Sequence, residues 1–217
     1  MSAPFRTLKR RAEVAASLAG LLLVAGCVQR QRLTFVGDSI TAAGPWQAAY
    51  PHLVVSNQGV PGDMASDVLT RLEQVKATRA DLYLVMVGIN DLRSGVPVEQ
   101  VAAQIGEIRQ RLLQGAFPLP RVMVLSTLRC RPTPMNGCTE AVQDAVAELN
   151  RRLAVQTPRG AFLDLNPGMA PNGLLAKAYT EDGIHLTAAG YRRWKELLAP
   201  WMINLKMKGH APTPDSR

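Results

Sequence analysis

The sequence lacks a basic stripe interleaved with aromatic residues. Aromatics are 5% of the chain, and the arginines are scattered, many of them on predicted helix faces beside glutamate. That pattern excludes a nucleic-acid surface and describes a solvated one. No apolar run reaches the roughly 20 residues of a comfortable membrane-spanning helix. The three cysteines are too few for a disulfide scaffold, and the pair at 130 and 138 has no histidine or further cysteine near it, which argues against a metal site. Internal repeats and interdomain linkers are also missing. What remains is a globular composition, 47% hydrophobic and 19% charged over 217 residues, with enough chain for one domain and a sizeable core.

Residues 1–26 have the features of a secretion signal. Lys9, Arg10 and Arg11 precede an apolar run from Val14 to Gly26, which ends in Val24-Ala25-Gly26-Cys27. Small residues before a cleavage point and a thiol after it resemble the lipobox of bacterial lipoproteins, which implies a diacylglycerol on Cys27. The leader carries four basic and one acidic side chain, a net of +3 out of the formal +8, leaving +5 for the mature chain. That excess favours mild attraction to anionic membrane or wall polymers. Val28 follows the thiol, where an aspartate would suggest inner-membrane retention. The expectation is an exported protein, lipid-anchored to the bacterial envelope and facing the periplasm, at the outer membrane if the host has one.

An odd cysteine count is awkward for an exported protein. Lipidation of Cys27 leaves Cys130 and Cys138, eight apart in the Pro/Gly-rich loop RCRPTPMNGC. An oxidising compartment lets them pair. Closing so short a loop contributes on the order of 2.5 kcal/mol in the chain-entropy account.

From residue 27 to 206 apolar, β-rich runs alternate with helical patterns. Strands are expected at Leu33–Val36, Leu53–Ser56, Leu82–Val87, Val122–Ser126 and Ala161–Leu165. The third is almost entirely apolar, as a strand covered on both faces should be. Helical stripes run through Met64, Val68, Leu72 and Val75; through Val98, Val101, Ile105, Ile108 and Leu112; through Val142, Val146, Leu149 and Leu153; and through Tyr191, Trp194, Leu198, Trp201 and Leu205. The polar stretch Met207–Arg217 is expected to be a disordered tail. Strands alternating with helices predict a parallel sheet sandwiched by helices, with ligands bound beyond the carboxyl ends of the strands. In a flavodoxin-like order, 2-1-3-4-5, the crevice lies between the first and third strands.

Polar clusters fall at those ends. Strand one leads into Gly37-Asp38-Ser39-Ile40, strand two into Asn57-Gln58-Gly59-Val60-Pro61-Gly62, and strand three into Gly88-Ile89-Asn90-Asp91. Asp182-Gly183-Ile184-His185 precedes the last helix. Acyl transfer by serine needs a hydroxyl, a base, a group that orients the base, and donors for the oxyanion. Ser39 supplies a hydroxyl. His185 alone among the three histidines stands beside a plausible orienting carboxylate, since His52 falls in a loop and His210 in the tail. Asp182, three residues before the histidine, can point the same way within one turn, and Asp164 at the end of strand five is the rival acid. The Ser39 N–H, the Gly59 N–H and the Asn90 amide are candidate donors. Asp38, Asp63 and Asp91 read as loop braces, and Trp46 as packing for a short helix near the site.

These four segments resemble the signature blocks of the SGNH hydrolases, also called GDSL-type esterases and lipases. GDSI stands for the usual GDSL, NQGVPG supplies the glycine of the second block, GIND is GxND, and DGIH is DxxH. The resemblance covers roughly residues 32–200 and implies a three-layer α/β/α fold that needs no metal or other cofactor. It implies Ser39 as nucleophile, Asp182 and His185 as the rest of a triad, and Ser39, Gly59 and Asn90 as the oxyanion hole. Ile40 in place of leucine is conservative. Thr41 stands where the nucleophile elbow of α/β-hydrolases requires glycine, so that motif does not apply. The implied substrates are small acyl esters of carbohydrates or lipids, including O-acetyl groups, lysophospholipids and thioesters. Two other readings stay open: an acyltransferase with the same triad, and a non-catalytic lipoprotein that binds glycan or a partner.

Overall fold

In the computed structural model the described residues are 30–114 and 120–207, with side chains to 202. The predicted signal segment 1–26, the predicted lipid attachment at Cys27 and the tail from 208 lie outside them, as does the Leu205 side chain. Five strands form one parallel sheet: β1 (Arg32–Gly37), β2 (Val54–Gly59), β3 (Leu82–Met86), β4 (Arg121–Leu125) and β5 (Phe162–Leu163). Their order is β2-β1-β3-β4-β5, the expected 2-1-3-4-5. Helices complete the three-layer α/β/α architecture. Ala65–Thr70, Val98–Leu112 and Glu140–Gln156 pack side by side, while Ala188–Met207 packs against Asn166–Met169.

Burial follows position in the sheet. Every residue of β3 is buried, and so is β1 after Arg32, because both are paired on two sides and covered above and below. Edge strand β2 is only partly covered, and Val54 is exposed. The helical stripes face inward as the 3.6-residue period requires. Val101, Ile105, Ile108 and Leu112 are buried on one helix, and Val146, Leu149 and Leu153 on the next. Each such side chain contributes roughly 1.5–3 kcal/mol on burial.

Two elements depart from the sequence pattern. The stripe from Met64 to Val75 is two short helices, Ala65–Thr70 and Leu72–Lys76, broken at Arg71. The Arg71 side chain turns back to the sheet, where it meets Asp63 and the carbonyls of Gly37 and Gln58. Strand β5 is two residues long instead of five. Its ladder ends when the Leu165 N–H turns to the Ser126 hydroxyl and the Asp164 carboxylate takes the Asn166 N–H. At the other edge β2 runs on to Gly59, which pairs with Gly37, so Asn57-Gln58-Gly59 close the strand instead of following it.

Candidate active site

The register of the sheet sets the site. Gly37 lies level with Gly59 on one side and Met86 on the other. The segments that follow β1, β2 and β3 therefore emerge together. Asp38 caps the one-turn helix Ser39–Ala42, its carboxylate accepting from the Ile40 N–H at 2.9 Å. Ser39 is thereby fixed, partly exposed, at the first helical position. Beneath it lies an aromatic shelf. Trp46 stacks on Phe35 at 4.0 Å and meets Trp194 and Tyr191 edge-on. The Trp46 indole donates to the Thr41 carbonyl and the Tyr191 hydroxyl to that of Ile40, each at 2.7 Å, so the shelf also holds the turn's carbonyls.

Ser39 Oγ lies 2.9 Å from His185 Nε2, and His185 Nδ1 lies 2.5 Å from Asp182 Oδ2. Asp182 uses its other oxygen to accept the Ile184 and His185 amides, both at 2.8 Å. Partial burial pushes the Asp182 carboxyl up, but the His185 ring and those two amides together outweigh it and leave it at about 2. An ionised carboxylate can only accept, so Nδ1 carries a proton, and in the neutral ring Nε2 is left to accept from the serine hydroxyl. The side chains of His185 and Asp182 are 50% and 53% exposed, so the pair opens to solvent. Asp164, the rival acid, bonds the backbone and side-chain N–H groups of Asn166.

The loop carrying Asp182 and His185 is tied down tightly. Gly183 has φ +90, and a Cβ there would stand 2.0 Å from the Arg131 carbonyl, so only glycine fits. Its N–H donates to the Thr180 hydroxyl at 2.8 Å, and its carbonyl accepts from the Arg131 N–H at 2.7 Å. Cys130 and Cys138 are disulfide-bonded, with Cα atoms 6.1 Å apart, and the loop between them lies against this segment.

On the far side stand the donors. Asn90 sits in the first turn of the helix Ile89–Arg93, and its amide donates to the Asp63 carbonyl at 3.0 Å with one N–H left over. Gly59 packs directly on the serine helix, where a Cβ would stand 2.2 Å from the Ala42 nitrogen. Its N–H donates to the Asn57 Oδ1 at 3.0 Å, while the Asn57 amide reaches the Ala42 carbonyl. The three aspartates read as braces all act as braces: Asp38 as above, Asp63 through a 2.7 Å ion pair to Arg71, and Asp91 by accepting the Ala65 N–H with both oxygens. Burial raises the carboxyls of Asp38, to about 7, and of Asp91. Among the described residues, no group of three or more His, Cys, Asp and Glu side chains is placed to hold a metal.

Sequence reasoning missed Arg71, Asn57 and Asn136. Arg71 links the ends of β1 and β2 to Asp63, and so to the carbonyl that holds Asn90. Its one sequence signal was a charge directly beside the buried stripe. Asn57 looks like a loop residue within NQGVPG, and Asn136 carries no sequence signal beyond its place between the two cysteines.

A doubly wound parallel sheet with a Ser–His–Asp hydrogen-bonded chain at the carboxyl ends of its strands defines a class of α/β/α hydrolases. The chain belongs to the GDSL-like lipase/acylhydrolase family, whose profile matches residues 35–193. It is 31% identical over 196 residues to the platelet-activating factor acetylhydrolase IB subunit alpha1 of Bos taurus, covering 84% of this chain and 82% of that protein. Among solved structures, it resembles a GDSL-like lipase from Bacteroides thetaiotaomicron (TM-score 0.69, 21% identity, 93% of this chain and 100% of that one). It also resembles a catalytic mutant of an acetylxylan esterase from Geobacillus stearothermophilus (TM-score 0.63, 20% identity, 78% and 93%). At these identities the structural likeness speaks for the fold.

Proposed function

We propose that the chain is a serine hydrolase of short-acyl carboxylic esters that works through a covalent acyl-enzyme. The observation that carries this reading is the unbroken chain Ser39 Oγ–His185 Nε2–His185 Nδ1–Asp182 Oδ2, with distances of 2.9 and 2.5 Å at its two contacts. As Ser39 Oγ attacks the ester carbonyl, its proton passes to His185 Nε2. Asp182 holds the imidazolium that results. The carbonyl oxygen becomes an oxyanion, met by the Ser39 N–H and the spare Asn90 N–H. The Gly59 N–H joins them when Asn57 Oδ1 shares or releases it. His185 then protonates the departing alkoxide, leaving the acyl group on Ser39. Water enters, gives a proton to His185 and attacks the acyl carbon; as the bond to Ser39 Oγ breaks, His185 passes that proton to Oγ, which restores the serine and releases the acid.

The preference for a short acyl group is supported by names among the chain's likenesses, an acetylhydrolase subunit and an acetylxylan esterase. The exposure of Asp182 and His185 is compatible with a bulky alcohol portion left outside the site. We further propose an exported form anchored through a lipid on Cys27. The catalytic reading is tested with a fluorophosphonate probe and a panel of esters of increasing acyl length. Labelling of the wild type, none of Ser39→Ala, and turnover falling beyond a few carbons are expected. Equal turnover by Ser39→Ala refutes the mechanism, and a preference for long chains refutes the substrate class.

A further inference from the structure

The two halves of the site come from distant parts of the chain. The Ile89–Arg93 helix carries Asn90, and the 182–185 turn carries Asp182 and His185. Asn136, inside the Cys130–Cys138 loop, touches both. Its backbone carbonyl accepts from Arg93 Nε at 2.8 Å, and Arg93 is on the Asn90 helix. Its side-chain amide donates to the Asp182 carbonyl at 2.9 Å and to the Arg131 carbonyl at 2.7 Å. Its side-chain oxygen accepts the Thr133 and Cys138 amides, at 3.1 and 3.0 Å. One buried asparagine thus organises its own loop with one end and grips the acid of the proton relay with the other. The loop in turn is pinned from behind, where Gln143 on the Glu140–Gln156 helix bonds both the N–H and the carbonyl of Cys130.

We propose that the Cys130–Cys138 loop is a disulfide-closed bracket that sets the position of the Asp182/His185 turn relative to the Asn90 helix, with Asn136 as its positioning residue. The proposal rests on the assignment of Asp182 and His185 as the orienting acid and base. The physical argument is one of tolerance. The Asp182 and His185 side chains are half-exposed, and the bonds within the turn run only from Asp182 to the neighbouring Ile184 and His185 amides and the His185 ring, so without ties to the rest of the fold the turn would belong to the class of segments that open easily. Productive geometry in an acyl transfer is lost with displacements of about 1 Å. The bonds from Asn136 and Arg131 to the 182–183 carbonyls supply the missing restraint. Cross-linking the loop at its two ends keeps Asn136 in register with the Asn90 helix.

Two variants separate the parts. Asn136→Asp keeps the acceptor that holds Thr133 and Cys138 but loses the donor that reaches Asp182, whereas Cys130→Ser/Cys138→Ser keeps the asparagine and opens the loop. Hydrogen–deuterium exchange is read on the peptide spanning 182–186 and on β3 as a control, followed by kcat and KM per site titrated with the fluorophosphonate. In both variants exchange in 182–186 accelerates by about tenfold or more, the scale of one lost hydrogen bond, while β3 is unchanged. The kcat per titrated site falls by about tenfold, with KM within about threefold of wild type. Unchanged exchange at 182–186 overturns the bracket, and so does acceleration spread equally over β3. The exchange measurement needs no turnover. A wild type that hydrolyses no ester therefore defeats the esterase reading alone, whereas unchanged exchange in an active enzyme defeats the bracket alone.

Discussion

Asp38 offers the sharpest quantitative test of the site's electrostatics. It is 1% exposed, directly before Ser39, and burial pushes its carboxyl from 3.8 to about 7, helped by Asp91 and Asp63 and opposed by the Ile40 N–H and His185. A carboxyl that ionises less readily in the folded state than in the unfolded chain weakens the fold progressively as pH rises through the range in which only the unfolded chain has lost its proton. Below the unfolded value both states are protonated and Asp38 contributes no penalty. Between about pH 4 and pH 7 the unfolded state gives up the proton while the folded state keeps it, so stability falls with rising pH. Above pH 7 both are ionised and the penalty is constant. Raising the carboxyl from 3.8 to about 7, at about 1.36 kcal/mol per pH unit, makes the full penalty about 4 kcal/mol. Asn at this position keeps an acceptor for the Ile40 N–H and cannot ionise. The stability of Asp38→Asn minus that of wild type should therefore rise by about 4 kcal/mol from pH 4 to 7 and then level off. Urea unfolding followed by circular dichroism at half-unit steps of pH measures the difference, with unchanged m-values as the control. A difference flat across that window would refute the reasoning and show that Asp38 is ionised throughout.

Asn90→Ala should lower kcat by roughly 10²–10³ with a smaller change in KM, the scale of one oxyanion donor; unchanged kcat in steady-state assays would make the asparagine a turn residue only. Gly59→Ala drives a Cβ against the Ala42 nitrogen, so the serine helix must shift, and kcat should fall by about 10² or more; near-normal turnover would mean the contact relaxes without moving Ser39. Arg71→Met leaves Asp63 unpaired among buried groups and should cost about 3 kcal/mol, seen in urea unfolding, with Asp63→Asn in the same chain restoring part of it; a loss under about 0.5 kcal/mol would reduce the ion pair to a surface contact. Cys27→Ser should abolish incorporation of radiolabelled palmitate, and a wild type that takes up none would end the lipid-anchor proposal while leaving the esterase proposal standing.

The sequence made the sheet legible because its signal is repeated. A near-continuous apolar run as short as Leu82–Val87, between turn residues, reads as a strand covered on both faces, and the alternation of such runs with 3.6-period stripes points to the class of fold. The blocks at the strand ends were legible because turn residues and chemical residues coincide there. Spacing and resemblance point to Ser39, Asp182 and His185, and the structure brings them into contact. What escaped was whatever depends on a partner far away in the chain. Arg71 in a helical stripe looks like a solvated charge until Gly37, Gln58 and Asp63 are placed around it. Strand β5 stopped early because side chains of Ser126 and Asp164 captured its next amides, a competition that composition does not reveal. The Gly59 N–H looks like a free donor in the sequence, but in the fold it donates to Asn57 Oδ1.

Gly59 and Gly183 stand where another backbone leaves no room for a Cβ, one against the serine helix and the other against the Arg131 carbonyl. Neither requirement involves the reaction, since both are conditions for folding this end of the molecule. A descendant of this chain that lost selection for turnover would be free to drop the Ser39 hydroxyl or the His185 imidazole while still needing both glycines. Within a lineage, the glycines therefore record ancestry of shape, and the serine and histidine record whether chemistry is still under selection. Sorting living enzymes from retired ones depends on reading the second pair against the first.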